Sequence, residues 1–115
     1  MKGYFVADII PVLRLTVNEL VCEFIVDTGF TGELMLPSSK IQKLKLTKIG
    51  KEDYITADGH VYYADVYIGP IEWFGSRKTV SILESPAQIT LMGMGLLRHC
   101  KTTISPRQNI VQLEK

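Results

Sequence analysis

The segment Phe24-Ile25-Val26-Asp27-Thr28-Gly29-Phe30-Thr31-Gly32 holds the residues best placed to do chemistry, because an apolar run ends directly in a carboxylate and then a glycine turn. Asp is kept out of strand interiors and apolar surroundings unless it is hydrogen-bonded or paired. Here Thr28 supplies a hydroxyl, and Gly29 lets the backbone turn and present its N–H groups beside the acid. The result is a held, partly desolvated carboxylate, the kind of group that takes and returns a proton. Taken alone, the same triplet also fits an ordinary turn closing a strand, since Asp and Gly are common turn residues.

A second segment, Thr90-Leu91-Met92-Gly93-Met94-Gly95-Leu96-Leu97-Arg98, repeats the theme of apolar residues followed by glycine and then a short helical run. Together, the two segments resemble the retropepsin-like aspartic protease family, in particular its small prokaryotic members with a single D-[ST]-G motif, over residues 10–113. The resemblance implies a mainly β fold, a small closed or sandwiched β-barrel with one or two short helices, and an aspartic endopeptidase activity. It makes Asp27 the catalytic aspartate, Thr28 the residue that exchanges hydrogen bonds between subunits, and Gly29 a glycine whose backbone lines the substrate cleft. Leu91, Met92 and Gly93 would pack behind the catalytic loop. Residues Tyr54 to Tyr62 would form the flap over the substrate, with Ala57, Asp58, Gly59 and His60 at its tip, although any Asp-Gly hairpin has this look.

Three positions depart from the family pattern. Thr31 stands where viral retropepsins carry an acid, and Met94 where they carry the arginine that pairs with it, so the charged pair is lost at both ends and the viral dimer geometry is not expected. Gly95 replaces the usual Asn or Asp at the start of the C-terminal helix, where glycine is an acceptable cap.

One acid does not suffice for this chemistry: one carboxylate takes a proton from water while another donates to the carbonyl. No second D-[ST]-G occurs in the chain, so an active enzyme would be a homodimer whose two Asp27 side chains share one proton. The terminal stretches Lys2 to Val6 and Asn109 to Leu113 are candidates for its interface. Phe30, Thr31, Gly32, Met35, Ile82 and Met94 would flank the cleft, and their apolar members favour extended peptides with hydrophobic side chains. A rival reading keeps the fold as a non-catalytic dimerisation or peptide-docking module. Against it stands the intact Asp27-Thr28-Gly29, since burying an unpaired acid would cost several kcal/mol.

The elements that must position these residues are mostly strands. Leu13, Leu15 and Val17 alternate with Arg14 and Thr16, and Leu20 to Val26 follows after Asn18-Glu19, which predicts a hairpin. Further strands are expected at Tyr62 to Ile68, Lys78 to Leu83, Lys101 to Ile104 and Asn109 to Leu113, with turns at Asp58-Gly59, Gly69-Pro70 and Ser105-Pro106. Short helices are expected after Pro37-Ser38-Ser39, with serine as cap, and over Gly95 to Cys100.

The 115 residues suit one domain, 1–115, and 46% hydrophobic against 22% charged residues excludes a disordered chain. A formal charge of +1 gives no field for nucleic acid, and Lys40, Lys43, Lys45, Lys48 and Lys51 read as a solvated face. Cys22 and Cys100 lie in apolar sequence and, with His60 and His99, match no zinc spacing, so neither a metal nor another cofactor is expected. Reduced thiols, no secretory leader and no spanning segment point to a cytoplasmic protein without a membrane partner.

Overall fold

The alternation of Leu13, Leu15 and Val17 appears as a strand buried on one face in the computed structural model, which describes residues 1–115. In chain order the elements are β1 (Tyr4–Val6), β2 (Ile10–Val17), β3 (Leu20–Val26), β4 (Leu34–Pro37), α1 (Ser38–Leu44), β5 (Thr47–Ile55), β6 (Val61–Trp73), β7 (Ser76–Ser85), β8 (Leu91–Met92), α2 (Met94–Leu97), β9 (Lys101–Ser105) and β10 (Ile110–Glu114). Eight strands form one sheet in the order β1-β2-β3-β8-β4-β7-β6-β5, and a Val17–Ile71 pairing between β2 and β6 bends it back on itself. β9 and β10 make a separate two-stranded sheet.

The β2–β3 hairpin turns at Asn18 and Glu19, both with positive φ (42° and 75°), the two-residue turn whose twist matches its flanking strands. It delivers Phe24 into the main core with Leu13, Leu36, Ile82, Met92 and Leu113. Phe24 is fully buried, worth about 1.5–3 kcal/mol relative to exposure. A second, smaller cluster of Phe30, Met35, Tyr54, Ala64, Val66 and Leu83 lies beneath the β5–β6 hairpin. Cys22 is buried, Cys100 half-buried, and both are free thiols.

The feature that positions the site is β8. It runs parallel to β3, with Ile25 opposite Leu91 and Val26 opposite Met92, and antiparallel to β4, with Leu34 opposite Met92. The loop from Asp27 to Glu33 therefore has to cross the end of β8. Gly93 permits the crossing: a Cβ there would lie 2.4 Å from the Gly32 carbonyl oxygen and 2.6 Å from that of Phe30.

Several expectations are corrected. Gly69-Pro70 is not a turn: β6 runs through it, with Gly69 opposite Val80 and Pro70 opposite Thr79, and the chain reverses at Phe74-Gly75 (φ 49° and 78°). Gly69 lies under Leu46, whose Cδ2 would be 2.4 Å from an added Cβ. β5 was not foreseen, because only Tyr54 in it is buried and no alternation marks the strand. Helix α1 is capped by Pro37 with no side-chain cap bond, since β4 remains paired up to Pro37 and no serine precedes the first turn. Helix α2 is capped by Gly93, not Gly95. Gly95 sits inside the helix because a Cβ would press on Gly32, 2.8 Å from its carbonyl carbon. In the terminal stretch Asn109 to Leu113, β10 is paired with β9 on one side and bonded to Met1 and Gly3 on the other. The five lysines of the cluster are all exposed, as expected.

Gly93→Ala should destabilise the fold by about 1–3 kcal/mol, because the obstruction is backbone and cannot rotate away. The readout is the midpoint of urea unfolding; an unchanged midpoint would mean that the loop does not cross β8 this closely.

Candidate active site

Asp27 follows β3 immediately, half-buried, and is held through its backbone and one carboxylate oxygen. Its N–H donates to the Met92 carbonyl at 2.9 Å, Oδ1 accepts the Gly29 N–H at 2.9 Å, and its carbonyl accepts the Phe30 N–H at 3.2 Å. Oδ2 accepts no bond from the chain, so it remains open to water or to another carboxyl. Thr28 is exposed and its hydroxyl makes no bond to Asp27; the turn is held by the Gly29 and Phe30 N–H groups.

The rest of the loop is bonded to the segment after β8. Met94 donates its N–H to the Phe30 carbonyl at 2.8 Å, Gly95 to that of Gly32 at 3.0 Å, and Gly93 to that of Glu33 at 2.9 Å. Leu91, Met92 and Gly93 thus lie directly against the Asp27 loop. Thr31 is exposed, Gly32 half-buried, and Met94 is 38% exposed beside the loop.

Phe30, Met35 and Ile82 are placed differently from expectation. All three are buried, so of the four apolar residues expected to wall the cleft only Met94 is open to solvent. Phe30 faces down because the smaller core needs it: its ring meets that of Tyr54 edge-on at 6.2 Å.

The hairpin of β5 and β6 reaches the site. A Cβ placed on Gly29 would lie 3.2 Å from the Ala57 Cβ and 3.2 Å from Asp27 Oδ1, so the hairpin tip rests on the turn that carries the acid. Tyr54 and Tyr62 stack across the hairpin at 5.6 Å, and the His60 ring lies 6.2 Å from Tyr62. An aromatic row therefore runs from Phe30, next to the acid's turn, to the tip. Sequence reasoning missed this row, although a signal was present: Tyr54 and Tyr62 are each four residues from Asp58 and so face each other in any hairpin centred there.

At the tip, Thr56 N–H donates to the His60 carbonyl, and Gly59 takes up a φ of 86°. The Asp58 carboxylate accepts the Thr56 hydroxyl, the His60 N–H at 3.1 Å, and contacts His60 Nδ1 at 2.7 Å. The Thr56 bond first, then those from His60, holds the Asp58 carboxyl well below the usual carboxylate range. A group depressed in the folded state stabilises it at every pH above its ordinary range, and that support is lost only as acid carries it through the lowered value. Burial, and then Tyr62, pushes the Tyr54 hydroxyl up, so it stays protonated.

Glu33 is a further residue that sequence reading passed over. Its Oε1 accepts the Ser81 N–H at 2.9 Å and the Ser81 hydroxyl at 3.1 Å, fastening the end of the Asp27 loop to β7. A cleft of about 620 Å³ lies between the β2–β3 and β6–β7 turns, and no residue of the Asp27 loop or the hairpin tip lines it. No helix is long and apolar enough to cross a membrane.

Comparison with solved structures gives the same fold. A retropepsin-like aspartic protease from Rickettsia conorii superposes with a TM-score of 0.71 over 98% of this chain and 88% of that one, at 24% identity. The EIAV protease, complexed with an inhibitor, gives 0.66 over 78% and 86%, at 17% identity. The foamy viral protease–reverse transcriptase gives 0.61 over 82% of this chain and 12% of that one, also at 17% identity. No curated protein sequence matches. At these identities the likeness is one of fold. Residues 13–97, from β2 through α2 and including the Asp27 turn, the hairpin and Gly93, match the family model for aspartyl protease, and the chain belongs to that family.

Proposed function

We propose that the protein is an aspartic endopeptidase, a hydrolase that works as a symmetric homodimer and cleaves extended peptides. The observation that carries this reading is Asp27 itself: a half-buried carboxylate held by a backbone turn, with Oδ2 unbonded, beside an exposed Thr28 hydroxyl. In one chain this is half of an acid–base pair. With two copies on a two-fold axis, one Asp27 takes the proton of the attacking water while the other, protonated, donates to the substrate carbonyl. The scissile C–N bond breaks after the tetrahedral adduct forms, and the proton passes to the leaving amine.

The hairpin is the flap of this reading, with Ala57, Asp58, Gly59 and His60 at the tip. It rests on Gly29, so a peptide enters only when the tip lifts. Gly29, Thr31, Gly32 and Met94 would then meet the substrate, and buried Phe30 supports them from beneath. Leu91, Met92 and Gly93 hold the loop in place. The chemistry requires no cofactor or metal.

Asp27→Asn should lower peptide cleavage by at least about a hundredfold while leaving the fold and the dimer intact, because the amide keeps the shape but does not shuttle the proton. Cleavage of a peptide library by purified wild type and variant decides it. Equal rates would displace Asp27 from its role, and no cleavage by either would favour the docking-module reading.

kcat/KM should be bell-shaped in pH with an acid optimum, at about pH 5–6, because only the singly protonated pair is active. The Asp58-bound tip stays intact there, as its carboxyl ionises well below that range. A rate rising steadily from about pH 5 to pH 9 would be incompatible with a shared proton.

A further inference from the structure

Strands β4 and β7 run parallel from the pair Leu34–Ile82 to the pair Pro37–Ser85, and the ladder stops where the Asp27 loop joins it. The two-residue turn at Phe74-Gly75 makes Trp73 and Ser76 a bonded pair. The even-numbered residues of β7 therefore turn their N–H and C=O groups to β6, and the odd-numbered ones turn theirs to β4. Ser81 is thus aimed at β4. In a parallel ladder each such N–H slants to the carbonyl of the residue one before its partner, so Leu83, opposite Met35, calls on Leu34. One rung further back, Ser81 would call on the Gly32 carbonyl.

That carbonyl is in use elsewhere. Gly32 accepts the Gly95 N–H at 3.0 Å, and the Glu33 carbonyl accepts that of Gly93 at 2.9 Å, so the end of the loop gives its acceptors to the segment after β8. Half-buried Ser81 is left without a main-chain acceptor for its N–H, and the Glu33 side chain supplies one. Its Oε1 accepts the Ser81 N–H at 2.9 Å and the Ser81 hydroxyl at 3.1 Å. Glu33 forms no ion pair. What the side chain contributes here is reach and an acceptor oxygen rather than charge.

We propose that Glu33 is a positioning residue for the Asp27 turn: by taking the Ser81 N–H, it spares the Gly32 carbonyl for Gly95 and keeps the loop on β8 and α2 instead of β7. Without it, Ser81 and Gly95 compete for one carbonyl, because an N–H left unpaired away from water is costly. A Gly32 carbonyl drawn to Ser81 releases Gly95 and shifts the loop. Asp27 lies on the same loop and shares its anchorage, with its N–H on the Met92 carbonyl and the Phe30 carbonyl on the Met94 N–H. A misplaced acid loses rate steeply. The effect on rate rests on the endopeptidase reading above; the effect on the loop does not.

Three substitutions test this, each checked for folding by circular dichroism. Glu33→Ala should lower kcat/KM for peptide cleavage by at least about tenfold. Glu33→Gln keeps the length and an acceptor oxygen and should stay within about threefold of wild type, whereas Glu33→Asp, one methylene shorter, should behave as alanine does. Amide hydrogen exchange followed by NMR reads the loop itself. In Glu33→Ala the exchange rate of the Gly95 N–H, divided by that of the Phe24 N–H in the main core, should rise at least about tenfold, whereas a general loss of stability moves both alike. Should the alanine chain fail to fold, the aspartate and glutamine chains carry the same comparison. An unchanged ratio, aspartate protecting Gly95 as well as glutamine does, or cleavage by Glu33→Ala at the wild-type rate would each overturn the proposal. If wild type cleaves no peptide, the endopeptidase reading falls, while a raised ratio still upholds Glu33 as the residue that places the turn.

Discussion

Leu91 and Met92 form a strand of only two residues, and the position of the Asp27 turn depends on it. Inserted between β3 and β4, it pairs parallel with one and antiparallel with the other, so the loop joining those two strands is forced over its end. The Asp27 N–H is satisfied by the Met92 carbonyl, and the N–H groups of Gly93, Met94 and Gly95 by carbonyls of the loop. A buried backbone polar group left unpaired costs about 1–3 kcal/mol, so this lacing of bonds makes the loop one rigid piece with β8. Two glycines are the condition for it, because backbone approaches backbone at Gly93 and Gly95 more closely than any side chain allows.

Rigidity below is matched by a separate body above. The far end of β6 enters the main core through Ile71 and Trp73, whereas the tip half of the β5–β6 hairpin stands on its own small cluster, with Phe30 as the member it shares with the Asp27 loop. Stacking of Tyr54 on Tyr62 and the edge-on contact with Phe30 orient the hairpin, each such aromatic pair contributing about 0.5–1.5 kcal/mol beyond burial. The tip is ordered by Asp58, which accepts the Thr56 hydroxyl and the His60 N–H and contacts the His60 ring.

The termini follow the same economy. By folding β10 between β9 and Met1 to Gly3, the chain satisfies strands that would otherwise need a partner, and it anchors its own ammonium group on the Leu113 carbonyl. What remains open is the short outer edge of β9 (Lys101–Ser105), which pairs with no strand other than β10.

The sequence alone determined what is local. An apolar run ending in Asp-Thr-Gly, the alternation of β2, a two-residue turn at Asn18-Glu19 and the Asp58-Gly59 tip each depend on neighbours in the chain, and the second apolar-glycine segment pointed to the family and hence the fold. Tertiary structure decided whatever depends on which strand lies beside which. Phe30 follows the acid in sequence but is buried, because the hairpin's Tyr54 comes from elsewhere to cover it. Gly69-Pro70 has the composition of a turn but stays in β6, because β7 and Leu46 hold it there. β5 has no periodicity to read, since it is an edge strand exposed along nearly all its length. Whether Gly93 or Gly95 caps α2, and which face of β9 is free, follow from register across the sheet, and register is fixed by long-range packing that no short window of residues encodes.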